Sequence, residues 1–138
     1  MRREATVPAD ASAPSKARDL LAEASPPRFP DRRLEDARLV LTEIVGNAVR
    51  HADWNDPSGE ILLRFDAEGA RLRVEVEQPT TAAGVGVMEP PVGDAIGGFG
   101  LRLVEMIADD WGHDDGPPGM VWFAFGRARD ARGVSTPT

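Results

Sequence analysis

Residues 41–52 read LTEIVGNAVRHA, and Glu43, Asn47 and His51 recur there at intervals of four inside an otherwise apolar, Ala- and Val-rich run. At about 100° per residue the three occupy roughly 80° of a helix surface, and the apolar set is centred roughly 110° further round. A polar stripe at the edge of a buried face can line a pocket floor. A carboxylate placed there accepts a proton from a hydroxyl or a water. A neutral amide oxygen suits Mg²⁺, a hard cation that prefers oxygen ligands and keeps several waters. His51, near the helix end, can touch an anion or cap the last carbonyls. The plain alternative is a solvated helix face. Against it, asparagine is a poor helix former and here stands in mid-helix.

A second stretch, GDAIGGFGLRLV at 93–104, places Gly97, Gly98 and Gly100 immediately before a helical pattern. Backbone amides can approach a ligand there without a Cβ in the way, and a helix start adds partial positive charge. That combination is phosphate-binding chemistry; its alternative is a flexible hinge. It is not a Walker A loop, because the chain's one lysine is Lys16 and no G-x-x-x-x-G-K-[ST] occurs. GVGVME at 84–89 lacks the third glycine of a dinucleotide fingerprint and a directly preceding strand, so it reads as part of a lid.

These residues must be held by a scaffold, and the periodicities describe one. SKARDLLAEA at 15–24 reads as a short helix capped by Ser15, which SPPRFP ends. The next helix starts near Asp31, an N-cap candidate, and runs to about His51, with Leu34, Ala37, Leu41, Ile44, Val45 and Ala48 at helical spacing. EILLRFD and RLRVEVE follow as a hairpin around AEGA, and Leu72, Val74 and Val76 alternate with charged residues as in a strand with one buried face. Gln78 to Gly98 has no regular period, and connections of that length are functional lids or disordered. FGLRLVEMIADDWG restores helical spacing and ends near Gly112; WGHDD, GPPG and MVWFAF read as a closing hairpin. Residues 1–14 and 127–138 read as loose tails around one domain at 15–126. The order predicts an α+β two-layer sandwich, a mostly antiparallel or mixed sheet covered on one face by helices.

Composition excludes several functions. At 138 residues, with 41% hydrophobic and 28% charged residues, the chain suits a single folded domain. A formal net charge of −7 argues against direct nucleic-acid binding, so an anionic ligand must be held by backbone groups or a metal. The absence of cysteine removes disulfides, thiolate nucleophiles and Cys-type zinc sites. No long apolar run suggests a signal peptide or a membrane span, and the expected compartment is the cytoplasm.

The E-x-x-x-N-A-x-x-H helix, the hairpin, the long lid and the G-x-G-L turn before a helix, in this order, resemble the Bergerat-type (GHKL) ATP-binding fold. LVLTEIVGNAVRHA, GFGLRLVEMIADDWG and VWFAF look most like the small anti-sigma-factor serine/threonine kinases of bacteria, the RsbW and SpoIIAB type. The resemblance covers residues 15–126. It implies ATP and Mg²⁺ as cofactors, Glu43 as the base that activates a partner's serine hydroxyl, and Asn47 as the Mg²⁺ ligand. His51, Gln78, Gly98, Gly100 and Leu101 are the further nucleotide-binding positions it implies. Such proteins sequester a sigma factor and phosphorylate a STAS-type anti-sigma antagonist, usually as homodimers.

Two positions depart from that pattern. The first glycine box, D-x-G-x-G, should begin at Gln78, where the sequence is QPTTA: the adenine-reading Asp is Gln and both glycines are absent. A neutral carbonyl holds an adenine amine less strongly than a carboxylate. In the last strand Met120 stands where relatives often carry Thr. A non-catalytic protein-binding module on the same fold, with weak or no nucleotide, is therefore the alternative function. A plain scaffold has to treat both motifs as coincidence. A histidine-kinase fragment is disfavoured, since the only histidines are His51 and His113 and no dimerisation helix carries one.

Overall fold

The computed structural model describes residues 1–27, 29–50, 59–77, 102–114 and 119–126. Its elements are β1 (Arg2–Pro8), α1 (Ala13–Ala24), α2 (Asp31–Arg50), β2 (Glu60–Glu68), β3 (Arg71–Glu77), β4 (Asp110–Asp114) and β5 (Met120–Phe125), with residues 102–107 helical between β3 and β4. The strands form one sheet in the order β1-β2-β3-β5-β4, every neighbouring pair antiparallel. The fold is the expected α+β arrangement, with helices on one face of the sheet.

α2 forms where the sequence places it because Ala37, Val40, Leu41, Ile44, Val45 and Ala48 line one buried stripe. Pro30, not Asp31, is the cap: its carbonyl accepts the Leu34 N–H at 3.0 Å, and Asp31 becomes the first helical residue, where its charge suits the positive end of the helix. α1 begins at Ala13 rather than at Ser15. Pro14 has no N–H to satisfy in the first turn, and the Asp10 carboxylate orders the preceding turn by accepting from the Ser12 backbone at 2.8 Å and from the Ser12 hydroxyl. Those two bonds hold the Asp10 carboxyl below its ordinary value.

The β2–β3 hairpin closes with Glu68 opposite Arg71, leaving Gly69 and Ala70 as a two-residue loop. Gly69 has φ +60°, the left-handed conformation such a turn demands at its first position. On the helix side of the sheet, Leu63, Phe65, Val74, Phe123 and Phe125 pack against Leu21 and Leu41 of the helices in one core.

Two expectations are corrected. Residues 1–14 are not a loose tail: Arg2–Pro8 is an edge strand paired with Asp66–Glu60, and Val7 is buried. The helix expected to run to Gly112 stops earlier. The Ala108 N–H still donates to Val104 O, but Asp109 N–H donates to Ala124 O, and the chain continues as β4. Half-buried Trp111 then packs against the core from a strand rather than from a helix.

The other sheet face is charged. Arg64 reaches Glu4, Glu75 and Glu77 at 3.1–3.3 Å, and Arg73 pairs with Glu75 at 2.9 Å. Burial alone would lower the Arg64 pKa, but the bonds and charges of Glu77, Glu4 and Glu75 outweigh it and hold the guanidinium above its ordinary value. Arg73 also stacks on Trp122 at 4.1 Å, and the indole lies so close across Gly112 that a Cβ there would sit 2.7 Å from its Nε1. Among the described residues no helix is long and apolar enough to cross a membrane.

Candidate functional site

The border of α2 that carries Glu43 and Asn47 runs between the buried stripe and the exposed side. Glu43 is half-buried, whereas Asn47 is 3% exposed and is the only buried polar or charged side chain among the described residues. Burying an amide without a partner is costly. Here its Oδ1 accepts a hydrogen bond from Nη2 of Arg50, one helical turn later. The amide oxygen therefore already holds a cationic group, and its hard, neutral donor chemistry fits Mg²⁺.

Packing at the start of α2 locates that end of the helix within the fold. At the helix start, Phe29 meets the ring of Phe125 edge-on at 6.4 Å, and the Arg33 guanidinium lies 4.4 Å from the same ring. The start of α2 is thus at the end of β5. At the beginning of β5, Met120 pairs with Glu77, the residue from which the chain leaves β3 toward Gln78. Met120 alternates with buried Val121, Phe123 and Phe125, so it lies on the sheet face turned away from the helices.

A network that sequence reasoning missed secures the far end. Arg33 bridges Asp36 of its own helix at 3.0 Å and Asp109 at 2.9 Å. Asp109 also accepts the Gly126 N–H at 2.7 Å. One arginine thereby ties the first turns of α2 to the exit of the 102–107 helix and to the end of β5. Arg33 and Asp36 are three apart, a visible helix pair, but nothing in the sequence marked Asp109 as their partner. Arg50 was also missed, although it follows Asn47 at the spacing of a helix neighbour.

Of the expected site residues, Glu43 and Asn47 share one helix border; His51, Gln78, Gly98, Gly100 and Leu101 lie outside the described residues. Two surface hollows lie elsewhere, and neither holds Glu43 or Asn47. One, of about 320 Å³, sits over the charged sheet face at Arg2, Arg64 and Arg73, and the other, of about 390 Å³, lies between α1 and α2 at Arg18 and Thr42. Their side chains largely satisfy one another, as in the Arg64 cluster and the Arg18–Thr42 bond of 3.1 Å.

The sequence matches the histidine kinase-like ATPase domain family over residues 7–123. The serine-protein kinase RsbW of Listeria innocua is 30% identical over 92 residues, 59% of this chain and 59% of that protein. RsbW of Listeria monocytogenes serotype 4b aligns with the same identity and coverage. The chain therefore aligns with 59% of the length of these curated relatives. A crystal structure of RsbU and RsbW domains from Mycobacterium tuberculosis superposes with a TM-score of 0.65 at 20% identity, covering 100% of this chain and 34% of that one, a likeness of fold. The antiparallel sheet with helices on one face, the Glu43–Asn47 border and a family match across most of the sequence agree: the chain belongs to the histidine kinase-like ATPase domain family.

Proposed function

We propose that this protein binds ATP with Mg²⁺ and acts as a serine/threonine protein kinase of the anti-sigma type, phosphorylating a STAS-type anti-sigma antagonist, sequestering a sigma factor, or both. The observation that carries the proposal is the α2 border: a half-buried carboxylate, and one turn later the only buried polar side chain among the described residues, its oxygen engaged by a cation. An amide kept in an apolar helix face at the expense of helix propensity is accounted for by a ligand.

In this reading the Glu43 carboxylate accepts the proton of a partner's serine hydroxyl as its oxygen bonds to the γ-phosphorus of ATP and the bond to the β-phosphate oxygen breaks, releasing ADP. Glu43 is partly exposed, so a partner's side chain can reach it. The Asn47 amide oxygen is the ligand offered to Mg²⁺. The ion would neutralise phosphate charge. Ile44, Val45 and Ala48 bury the opposite side of the same turns and hold both groups on a rigid platform. In-line phosphoryl transfer needs chiefly positioning and charge neutralisation, so this short set suffices.

The test is transfer of the γ-phosphoryl group to a purified STAS-domain antagonist, read by mass spectrometry as phosphoserine. Glu43→Gln should bind nucleotide normally and transfer about 10²–10⁴-fold more slowly. A second reading, a non-catalytic binding module, draws on Gln78 in place of the base-reading Asp. It predicts capture of the partner with no phosphoserine, whatever the nucleotide concentration.

A further inference from the structure

Arg50 is the last residue of α2 and is exposed. Side chains on a helix lean toward its N-terminus, so one at position 50 overlies the turn at 46–47. The side chain does lie there: a Cβ on Gly46 would stand 3.5 Å from Arg50 Nη1, an ordinary contact. From this position Nη2 donates to Oδ1 of Asn47. Among the described residues no carboxylate pairs with Arg50, although ion pairs tie up Arg3, Arg33, Arg38, Arg64 and Arg73. Among the described residues its guanidinium thus meets a neutral amide oxygen, and that oxygen is the one the proposed function assigns to a divalent cation.

A dication bound directly at Oδ1 and a guanidinium donating to that oxygen repel one another at close range. We infer that Arg50 is a built-in counter-cation: it holds the Asn47 amide while the site is empty and must swing away before Mg²⁺ can bind, thereby setting the Mg²⁺ concentration at which nucleotide is taken up. The inference rests on the nucleotide-binding reading. The released side chain costs little to move because it is exposed, and it remains next to the site.

The test is calorimetric titration of ADP across a series of Mg²⁺ concentrations, on the wild type, Arg50→Ala and Arg50→Lys. The side-chain amide resonance of Asn47, assigned by its loss in Asn47→Ala, is followed in parallel in the nucleotide-free proteins. Removing a charge-assisted bond from an exposed donor should lower the half-saturating Mg²⁺ of Arg50→Ala about tenfold and shift the amide resonance, while Arg50→Lys, still cationic, stays nearer the wild type. Equal Mg²⁺ dependence in wild type and Arg50→Ala overturns the inference and leaves the nucleotide-binding reading standing. Uptake by Arg50→Ala alone supports both. Uptake by none of the three removes the reading and the inference together.

Discussion

Asn47→Ala separates a residue kept for a ligand from one kept for the fold. Three contributions decide its effect on stability. The bond from Arg50 is charge-assisted, but its donor is exposed, so losing it costs about 1 kcal/mol. The void left by the amide costs up to about 1 kcal/mol, at the low end for core truncations because Asn47 lies at the border of the buried stripe. Replacing asparagine by alanine inside a helix returns about 0.6 kcal/mol. The net change is a destabilisation of about 1 kcal/mol, or roughly 3–6 °C in Tm for a domain of this size. Urea unfolding of wild type and variant reads the first quantity, and calorimetry with ADP and Mg²⁺ reads the second. The variant should stay folded near wild-type stability and lose Mg²⁺-dependent binding. A loss of roughly 3 kcal/mol or more with nucleotide binding intact would make Asn47 a structural polar group rather than a ligand.

Arg33→Ala removes two partly exposed ion pairs and a contact with the Phe125 ring, and should destabilise by about 1–2 kcal/mol in urea, with the loss halved in high salt. Gly112→Ala drives a methyl into the Trp122 indole; it should cost about 1–3 kcal/mol and change the tryptophan fluorescence as the Arg73 stack is displaced. Asp10→Asn tests a pH dependence. The folded-state pKa of Asp10 lies below its ordinary 3.8, so its contribution is present above that pH and is lost as pH falls through the lowered value. The stability gap between wild type and Asp10→Asn should therefore close below about pH 4 in acid unfolding curves, and a gap that widens there would contradict the assignment.

The elements legible in the sequence are those whose burial is periodic over a long window. α2 offers about four turns of apolar spacing, and β2–β3 alternates around a glycine turn, so both stand where the spacing predicts. β1 has one fully buried residue, Val7, among charged and small ones; what makes it a strand is the ladder offered by β2, which is tertiary context. The overextended third helix failed for a related reason. Ile107, Ala108 and Trp111 keep a helical spacing in sequence, but Asp109 is taken by the Gly126 N–H and by Arg33, and the Ala124 carbonyl captures its N–H. At the site, Glu43 and Asn47 were legible because one helix sets their relation. The Arg50 bond was not, because it depends on a side-chain conformation.

Whether the Asn47 border of α2 serves a nucleotide with its metal is decided by calorimetric titration of ATP into the wild-type protein, with Mg²⁺ and then with the metal chelated. Saturable binding near one ATP per chain that requires Mg²⁺ and disappears in Asn47→Ala is the expected result. Absence of binding at every nucleotide concentration found in cells, or binding indifferent to both Mg²⁺ and Asn47, would contradict it.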